Sequence, residues 1–506
     1  MYISFTSLIL VGALTSKPYS FNIRSWELKS YEGLDIMDSG CSLIRFDVCA
    51  NRILRILPIE TTNSQTQWIS DRVRFSYDGL TRLRLGYPIF CFKKKFIRLN
   101  WHLVFKLMGY IFNRNLVNYC GCSFELKGIV GKFLDCKSSV IFKDFVNGFG
   151  GSLCFREQNF PVFNDFKNNF FFTSNFLELT ELLIIIGLNP RFELPVLNLK
   201  IRNLILMKKL FYVCVLSNYS SLNYFYNHIG NSSKDLLDLC EGRHWFSSII
   251  YKYLNNVFFL VSSNLKNNIT FLKKINQYLN LKHYQIASIY FSVGELNTLL
   301  FNCLTRFNFN LIEEKNKKKT ILRSFFFYFF LGSDFCFDNR NSLNDFCLFQ
   351  SHHYNIIGLN KSYFTDFVLP VSVFVETDAL YLNFEGISLL NRSSLVQTFG
   401  TLENFSIFKG FFYVIKSLQA ETFYKKTIMR IFEIDKSIFF LNSRFCFFFQ
   451  NSIYLRRTQS FFFNKKRKHF LILSKYNSHY KDNSILQASR IMTFCERSFI
   501  NKFFNF

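Results

Sequence analysis

Short apolar runs followed by turn-forming residues recur through the middle of the chain. Three of them lie at residues 182–186 (LLIII), 211–216 (FYVCVL) and 325–331 (FFFYFFL). An apolar run without alternation is typical of a strand in a parallel sheet that helices cover on both faces. The segment between the first two runs has room for one crossover helix. The pattern therefore predicts a βαβ unit and an α/β fold.

The first part of the chain has a different pattern. Apolar and polar residues alternate at 42–48 (SLIRFDV) and at 52–58 (RILRILP). Alternation with a period of two is typical of a strand with one buried face. These residues therefore predict two neighbouring strands in a small β-rich segment that precedes the α/β part.

The end of the chain predicts a helix. Its apolar residues recur at alternating spacings of three and four: Ile485, Ala488, Met492, Cys495 and Phe499. This spacing places them on one helix face, and Asp482 or Ser484 is suited to cap the helix. Residues 391–480 show no clear period.

These patterns divide the chain into three parts. We expect residues 1–85 to form a junction and a small β-rich subdomain, and residues 86–390 to form α/β subdomains. Residues 391–506 are expected to be a divergent region that ends in a helix. A chain of 506 residues exceeds what one hydrophobic core usually supports.

The composition indicates an AT-rich organelle genome. The chain has 68 Phe but 7 Pro, and Phe, Asn and Lys are encoded by A/T-only codons. The same drift accounts for a net charge of +26, which otherwise indicates binding to nucleic acid or anionic lipid. Three basic runs could bind phosphate, although we favour solvated loops: Lys93-Lys94-Lys95, Lys317-Lys318-Lys319 and Lys465-Lys466-Arg467-Lys468.

The 14 cysteines do not form a metal or disulfide pattern. There is no C-x-x-C, and the tightest pair is Cys120-Gly121-Cys122. Reduced thiols suit the mitochondrial matrix. No apolar run is long enough to span a bilayer, and residues 1–10 lack the Arg-rich pattern of a transit peptide. We therefore expect a protein encoded in the mitochondrion, without a transit peptide or a membrane span.

Catalytic motifs are missing from the sequence. Residues 148–151 (GFGG) lack the third glycine of a dinucleotide fingerprint, and there is no Walker A, H-E-x-x-H or G-x-S-x-G motif. His352 and His353 are adjacent, so we expect their side chains to point in different directions and to have a structural role. The residues predict no catalytic residue and no metal site.

Several strings of residues resemble the large iron–sulfur subunit of respiratory complex I (NADH:ubiquinone oxidoreductase), in that family's order and spacing. The first block is 11–19 (VGALTSKPY), 24–28 (RSWEL), 35–38 (DIMD), 55–58 (RILP), 68–72 (WISDR), 74–75 and 77–80 (YDGL). The second is 187–193 (GLNPRFE), Asn198, 201–202, 242–244 (GRH) and 246–247. The third is 332–334 (GSD), Gln350, 352–353 (HH), 368–370 (VLP), Glu376 and 383–386 (NFEG).

The resemblance implies a molybdopterin-oxidoreductase-like fold of several α/β subdomains with parallel sheets, preceded by the β-rich segment. In the family this part serves as a structural block and holds no molybdenum cofactor. The loops of the former cofactor cleft would contain Gly187, Asn189, Pro190, Arg191, Glu193, Gly332, Asp334, His352, His353, Glu376, Asn383 and Glu385. We expect Pro190, Arg191 and Glu193 to order their loop by backbone contacts and an ion pair.

Two departures from the family concern cluster ligands. Ile9-Leu10 stands where the family has Cys-Pro before V-G-A-L-T, and Ser70 stands where some relatives have a cluster cysteine. These departures lead us to expect no cofactor in this chain, with the iron–sulfur clusters in a separate partner chain that is the other half of a split subunit. The seam with that partner would be formed by Ile9, Val11, Gly12, Ala13, Leu14, Thr15 and Lys17.

The resemblance thus implies a structural subunit in the matrix-side arm of complex I, at the mitochondrial inner membrane and in contact with other complex I subunits. Two other function classes were considered. A working molybdopterin-dependent oxidoreductase needs a metal-ligating Ser, Cys or selenocysteine, and no candidate is visible. A basic, organelle-encoded nucleic-acid-binding protein would show a maturase or ribosomal pattern, which the sequence lacks, so we expect no nucleic-acid partner.

Overall fold

The structure is a computed structural model. It describes residues 16, 18–59, 68–92, 95–117, 124–148, 152–155, 174–207, 209, 212–252, 257–262, 284–289, 293–300, 325–333, 346–353, 366–416 and 480–504.

The strands are β1 (Lys29–Leu34), β2 (Leu43–Cys49), β3 (Arg52–Pro58), β4 (Ile89–Phe92), β5 (Lys95–Arg98), β6 (Phe124–Val130), β7 (Ser152–Phe155), β8 (Leu182–Ile186), β9 (Tyr212–Leu216), β10 (Asn227–Gly230), β11 (Val257–Ser262), β12 (Tyr284–Ile289), β13 (Phe325–Leu331), β14 (Phe346–Ser351), β15 (Phe367–Pro370), β16 (Ala379–Leu382) and β17 (Ser388–Asn391).

The α-helices are α1 (Asp71–Phe75), α2 (Trp101–Val117), α3 (Cys136–Gly148), α4 (Ser174–Leu179), α5 (Pro190–Glu193), α6 (Pro195–Leu206), α7 (Ser233–Cys240), α8 (Ser247–Lys252), α9 (Val293–Leu300), α10 (Asn404–Lys416), α11 (Ser484–Ala488) and α12 (Arg490–Phe504). Short 3-10 turns lie at Ser25–Glu27, Ser76–Leu80 and Phe374–Glu376.

The β-rich segment is a three-stranded antiparallel sheet in the order β1-β2-β3. The two strands predicted from alternation are confirmed as β2 and β3. They are joined at Ala50 and Asn51, whose φ angles are 46° and 59°. Positive φ at both central residues matches the right-handed twist of a tight hairpin.

A seven-stranded sheet has the order β5-β4-β15-β14-β13-β6-β7. The five strands from β15 to β7 run parallel, whereas β4 and β5 are antiparallel additions at one edge. The predicted run at 325–331 forms β13, in the middle of this sheet. Phe327, Phe329 and Phe330 of this strand are buried, so side chains on both of its faces are covered, as the absence of alternation predicts.

A second, five-stranded sheet lies between β7 and β13 in the chain and has the order β10-β9-β8-β11-β12. All neighbouring strands are parallel. The predicted βαβ unit is confirmed, since β8 and β9 pair in parallel from Leu182↔Tyr212 to Ile186↔Leu216 with α6 between them. Both sheets are α/β layers, as the sequence predicts.

The expected boundary at 390/391 does not follow the packing. Phe408 and Phe411 of α10 belong to the same core as Phe145 of α3 and Phe329 of β13. The Phe145 and Phe408 ring centroids are 5.5 Å apart. Covering this wide aromatic face of the sheet needs a helix from the following region, because each buried Phe stabilises the fold by about 1.5–3 kcal/mol.

The expected boundary at 85/86 is crossed in the same way. Val373, Phe374 and Tyr381 pack into the core of the β-rich segment. The Phe46 and Phe374 rings are 6.4 Å apart. Thus the β-rich subdomain is completed by chain from the far end of the α/β part.

The predicted C-terminal helix is two helices, α11 and α12, with a break at Ser489. Ile485, Ala488 and Met492 are buried as predicted. The first cap is Asn483 rather than Asp482 or Ser484, since its Oδ1 accepts the Leu486 N–H at 2.8 Å. The Ser489 hydroxyl caps α12 by accepting the Met492 N–H at 3.1 Å. Asp78 Oδ2 accepts the Arg490 N–H at 2.9 Å and so anchors α12 to the N-terminal part.

Two glycines at strand ends provide a matched stability test. A Cβ on Gly131 would lie 1.7 Å from the Gly332 carbonyl oxygen, whereas a Cβ on Gly332 would meet nothing within 4 Å. We expect Gly131→Ala to lower the free energy of unfolding by about 3 kcal/mol or more, because the backbones must separate. Gly332→Ala should lower the free energy of unfolding by only about 1–2 kcal/mol, because a φ of 62° is unfavourable for a residue with a Cβ. Urea unfolding measures both, and equal losses would contradict the close approach.

Candidate functional site at the meeting point of the two sheets

In open α/β sheets, ligands bind beyond the carboxyl ends of strands where the strand order reverses. In the seven-stranded sheet the order reverses between β6 and β13. Gly131 and Gly332 follow these two strands directly. The Gly131 N–H donates to the Leu331 carbonyl at 2.8 Å, and the Gly332 N–H donates to Gln350 at 2.8 Å. The two glycines therefore bring the strand ends together at this point.

In the five-stranded sheet the order reverses between β8 and β11. Gly187, which follows β8, has a φ of 64° and donates its N–H to the Leu216 carbonyl at 2.9 Å. A positive φ favours glycine here. The chain then passes through Asn189 into α5, with Pro190 as its first residue. This loop is the G-L-N-P-R-F-E string.

The two reversal points are connected by the turn before α11. Lys132, which follows Gly131, has a buried side chain, and its Nζ contacts both Asp482 Oδ2 and the Asp482 carbonyl at 2.8 Å. Asp482 also lies close enough to Glu193 to raise the pKa of that carboxyl. The neighbouring Asn483 contacts Met37 Sδ at 3.4 Å with its Nδ2. Both sheets and the β-rich segment thus meet at one turn.

Glu193 lies buried at this meeting point. Its side-chain oxygens have no hydrogen-bond partner, and neither has the Asn189 Oδ1 beside it. Burial raises the pKa of Glu193 well above its ordinary value, and repulsion from Asp482 adds to the rise. The backbone N–H of Asn189 offsets part of this rise in pKa, although its geometry is not that of a hydrogen bond. Burial without a partner thus favours the protonated form of this carboxyl.

Arg191 orders the loop, although not in the expected way. Its Nη1 donates to the Ser221 carbonyl at 2.7 Å and to the Ser221 hydroxyl at 2.8 Å. These bonds tie the loop after β8 to the loop after β9. The expected ion pair with Glu193 is wrong, because Glu193 is buried without a partner while Arg191 binds at the surface.

His352 and His353 form a buried pair. Their Nδ1 atoms are 2.6 Å apart, and His353 Nε2 lies 2.7 Å from the Gly79 carbonyl. A carbonyl accepts, so His353 carries its proton on Nε2 and accepts from His352 Nδ1–H. We expected the side chains to diverge, but β14 ends at Ser351 and strand alternation no longer applies.

The two histidines stay neutral. Burial lowers the pKa of His353 to about 3, with the Arg84 charge adding to the effect. Burial, His353 and Arg84 also lower the pKa of His352. A neutral pair bound to a backbone carbonyl is suited to holding strands together, in line with the structural role predicted from the sequence.

Glu376 lies next to this pair. Arg84 Nη2 contacts Glu376 Oε2 at 2.7 Å and Thr398 Oγ1 at 3.2 Å. The same Glu376 oxygen accepts the Val373 N–H at 3.0 Å. Burial raises the pKa of Glu376, and Arg84 partly offsets the rise. Arg84, Gly131, Lys132 and Asp482 were missed from the sequence, although Gly131 shows the same strand-then-glycine pattern as Gly187 and Gly332.

Asn383 and Glu385 lie in the hairpin between β16 and β17. Asn383 Oδ1 accepts the N–H groups of Glu385 at 3.0 Å and Ile387 at 2.9 Å. The candidate residues therefore fall into separate groups rather than one constellation. Asp334 and all seven seam residues from Ile9 to Lys17 lie outside the described residues.

The whole chain was then compared with known proteins. The family model "Molybdopterin oxidoreductase" matches residues 84–411. The NADH-ubiquinone oxidoreductase 75 kDa subunit of Acanthamoeba castellanii is 30% identical, over 98% of this chain and 70% of that protein. The chain belongs to this family of complex I 75 kDa subunits.

Further relatives agree. The 75 kDa subunit of Reclinomonas americana is 28% identical over 96% of the chain and 70% of its own length. The mitochondrial NADH dehydrogenase iron-sulfur protein 1 of Solanum tuberosum is 29% identical over 74% of the chain and 50% of its own length. The expected family and α/β fold class are therefore confirmed. An acetylene hydratase from Pelobacter acetylenicus has a TM-score of 0.48 at 11% identity, covering 76% of this chain and 69% of that one, a likeness too weak to bear on function.

One expectation about this 75 kDa-type chain is wrong. We expected no cofactor in the chain and all clusters in a partner. The family model "NADH-ubiquinone oxidoreductase NDSU1/NuoG-like, 4Fe-4S domain" matches residues 28–78, so the chain includes part of the family's iron–sulfur machinery. Ile9 and Ser70 each replace one cysteine of the family, and a single replaced ligand does not exclude the domain.

The residues of this segment do not supply a full ligand set. A four-iron cluster is usually held by four cysteine thiolates, and residues 28–78 contain Cys41 and Cys49. Cys41 is buried, with its Sγ 3.8 Å from the Leu382 carbonyl, and Ser70 caps α1 by accepting the Val73 N–H at 3.4 Å. Within the described residues no three His, Cys, Asp or Glu side chains are grouped to hold a metal. Ligands from outside this segment are therefore needed.

The helices of this structure bear on membrane insertion. Within the described part of the chain, no helix has both the length and the apolar character needed to cross a bilayer.

The buried Glu193 predicts a pH dependence. A carboxyl whose pKa is raised by folding stabilises the fold only while it keeps its proton. Stability is therefore full below the ordinary value of 4.5 and falls as the pH rises through the window above it. We expect Glu193→Gln to remove this loss of stability. Relative to the variant, the free energy of unfolding of the wild type should fall by up to about 1.4 kcal/mol per pH unit within the window. Urea unfolding from pH 4.5 to 8 measures the difference between variant and wild type.

The exposed Glu27→Gln serves as the control and should follow the wild type at every pH. The groups shared by both proteins, including the buried Asp35 and Asp38, cancel in the difference. A constant gap between wild type and Glu193→Gln across this range would contradict a protonated Glu193.

Proposed function

We propose that the chain is a subunit of the peripheral, matrix-side arm of mitochondrial complex I. There it supports electron transfer from NADH to ubiquinone as a structural block, without a catalytic site of its own. The observation that carries this proposal is the 30% identity to a 75 kDa subunit along 98% of the chain. The organelle location is supported by mitochondrial relatives, and encoding in the mitochondrion is supported by the A/T-codon composition.

The contacts at the meeting point support a structural role. Both reversal points are occupied by the chain's own groups: Gly294 packs against the Gly131 and Lys132 carbonyls at one, and the buried Asn189 and Glu193 lie at the other. The side chains of His352, His353 and Glu376 form hydrogen bonds within the protein. The side chains that a cofactor cleft would offer to a ligand therefore serve internal packing.

Co-purification tests this function. We expect a tagged chain, recovered from mitochondria in mild detergent, to migrate with an assembly that oxidises NADH and reduces a quinone. The reason is that a structural block of the arm stays bound when the arm is extracted. Recovery in an assembly without NADH oxidation, or as a free chain, would contradict the proposal.

We further propose that a separate, cluster-bearing polypeptide joins the chain at residues 9–19. Two observations support such a seam. The iron–sulfur segment 28–78 needs ligands from outside itself. Next to the proposed seam, Phe21 is fully exposed and Trp26 is 77% exposed, which are unusual positions for large apolar side chains. A partner that covers them would bring its ligands close to the β-rich segment.

A paired substitution tests the seam. Phe21→Ser with Trp26→Ser should release the cluster-bearing polypeptide from the purified complex, because the apolar contact that holds it is lost. We expect at least a fivefold loss of that polypeptide, measured by mass spectrometry. Leu206→Ser, at the exposed leucine that ends α6, is the control and should leave its recovery unchanged. Unchanged recovery with the paired variant would show that the seam lies elsewhere.

A further inference from the structure

Helix α2 is apolar on both of its faces. Val104, Met108 and Phe112 lie in the core of the seven-stranded sheet. On the opposite face Leu103, Leu107 and Tyr110 are exposed, at helical spacings of four and three. An exposed row of large apolar side chains is typical of a surface that another molecule covers. Within the described residues, this outer face of α2 lacks such a cover.

The strand that precedes α2 continues this surface. β5 is the last strand of the seven-stranded sheet, and its neighbour is β4. Its four residues are exposed, including Phe96 and Ile97. Within the described residues β5 pairs with β4 alone, and a sheet edge with apolar side chains is a template for pairing with another strand. We call the surface formed by Phe96, Ile97, Leu103, Leu107 and Tyr110 the β5–α2 face.

The charge around this face has one sign. The stretch from Leu85 to Phe124 contains no Asp or Glu, but it contains Lys93, Lys94, Lys95, Arg98, Lys106 and Arg114. Lys95, Arg98 and Lys106 are exposed beside the apolar side chains. Arg98 stacks on Tyr87, 4.1 Å from the ring centroid, which fixes its position. Such a rim complements an acidic partner.

We infer that the β5–α2 face is the docking site for an acidic, extended segment of another protein subunit of the complex, which adds a strand to β5. This inference rests on the proposed function, since the assembly supplies the partner. An anionic lipid surface also attracts basic and apolar residues. The outer edge of β5, which has no pairing strand among the described residues, argues against insertion into lipid, where its backbone N–H and C=O groups would find no partner.

Zero-length carbodiimide cross-linking of the purified complex tests the inference, because it joins lysines to carboxylates in direct contact. We expect Lys95 and Lys106 to be joined to Asp or Glu residues of another subunit, as identified by mass spectrometry. Links solely to carboxylates of this chain or of a second copy, or no links at these lysines, would overturn it. Each of these outcomes is compatible with normal co-purification, so the proposed function can hold while this inference fails.

A variant pair provides the second measurement. Phe96→Ser with Leu107→Ser removes exposed side chains, so the chain should keep its thermal unfolding midpoint and yet be recovered in the complex at least fivefold less. The matched control Leu206→Ser should assemble normally. Normal assembly of the paired variant would overturn the inference. A combination of two other results would also overturn it. In the first, the chain binds vesicles containing anionic lipid and the paired substitution abolishes this binding. In the second, no lysine–carboxylate link to another subunit is found.

Discussion

The architecture depends on one buried lysine. Lys132 follows the strand end where the seven-stranded sheet reverses its order, and it holds Asp482 in the turn that also reaches Met37 and Glu193. Asp482 is half-exposed, which weakens the pair through solvent screening. Removing the carboxylate would take away one of two 2.8 Å contacts and leave the ammonium on the Asp482 carbonyl. Because the turn contacts all three units, these contacts help to hold the two sheets and the β-rich segment together.

Burial rather than pairing governs the titratable groups around this contact. Desolvation is the largest influence on Glu193, His352 and His353, and for all three it favours the neutral form. In the D-I-M-D string burial raises the pKa of Asp38 to about 6, and burial together with repulsion from Asp38 raises the pKa of Asp35 well above its ordinary value. Each of these aspartates also accepts a backbone N–H, from Met37 and Gly40. The polar strings shared with the family thus fix turns inside the protein.

Aromatic packing fills the space between the layers. Phe142 and Phe329 meet edge to face with centroids 5.0 Å apart, and Phe112 and Phe145 do so at 5.6 Å. Edge-to-face pairs add roughly 0.5–1.5 kcal/mol beyond the area they bury. The high Phe content is therefore accommodated in this core, because large flat rings can pack in several orientations on a broad sheet.

The sequence by itself determined the local elements. Apolar runs without alternation form β8, β9 and β13, and alternating runs form β2 and β3. The pattern of consecutive residues shows whether a strand is buried on both faces or on one. The sequence also determined the family, through ordered strings. Only the tertiary structure decided that Glu193 is unpaired, that the two histidines touch, that Asn483 caps α11 and that α10 completes the first core. The α10 packing joins residues far apart in the chain, whereas the His352–His353 and Asn483–Leu486 contacts join near neighbours and depend on backbone geometry. Hydrophobic periodicity records neither kind of contact.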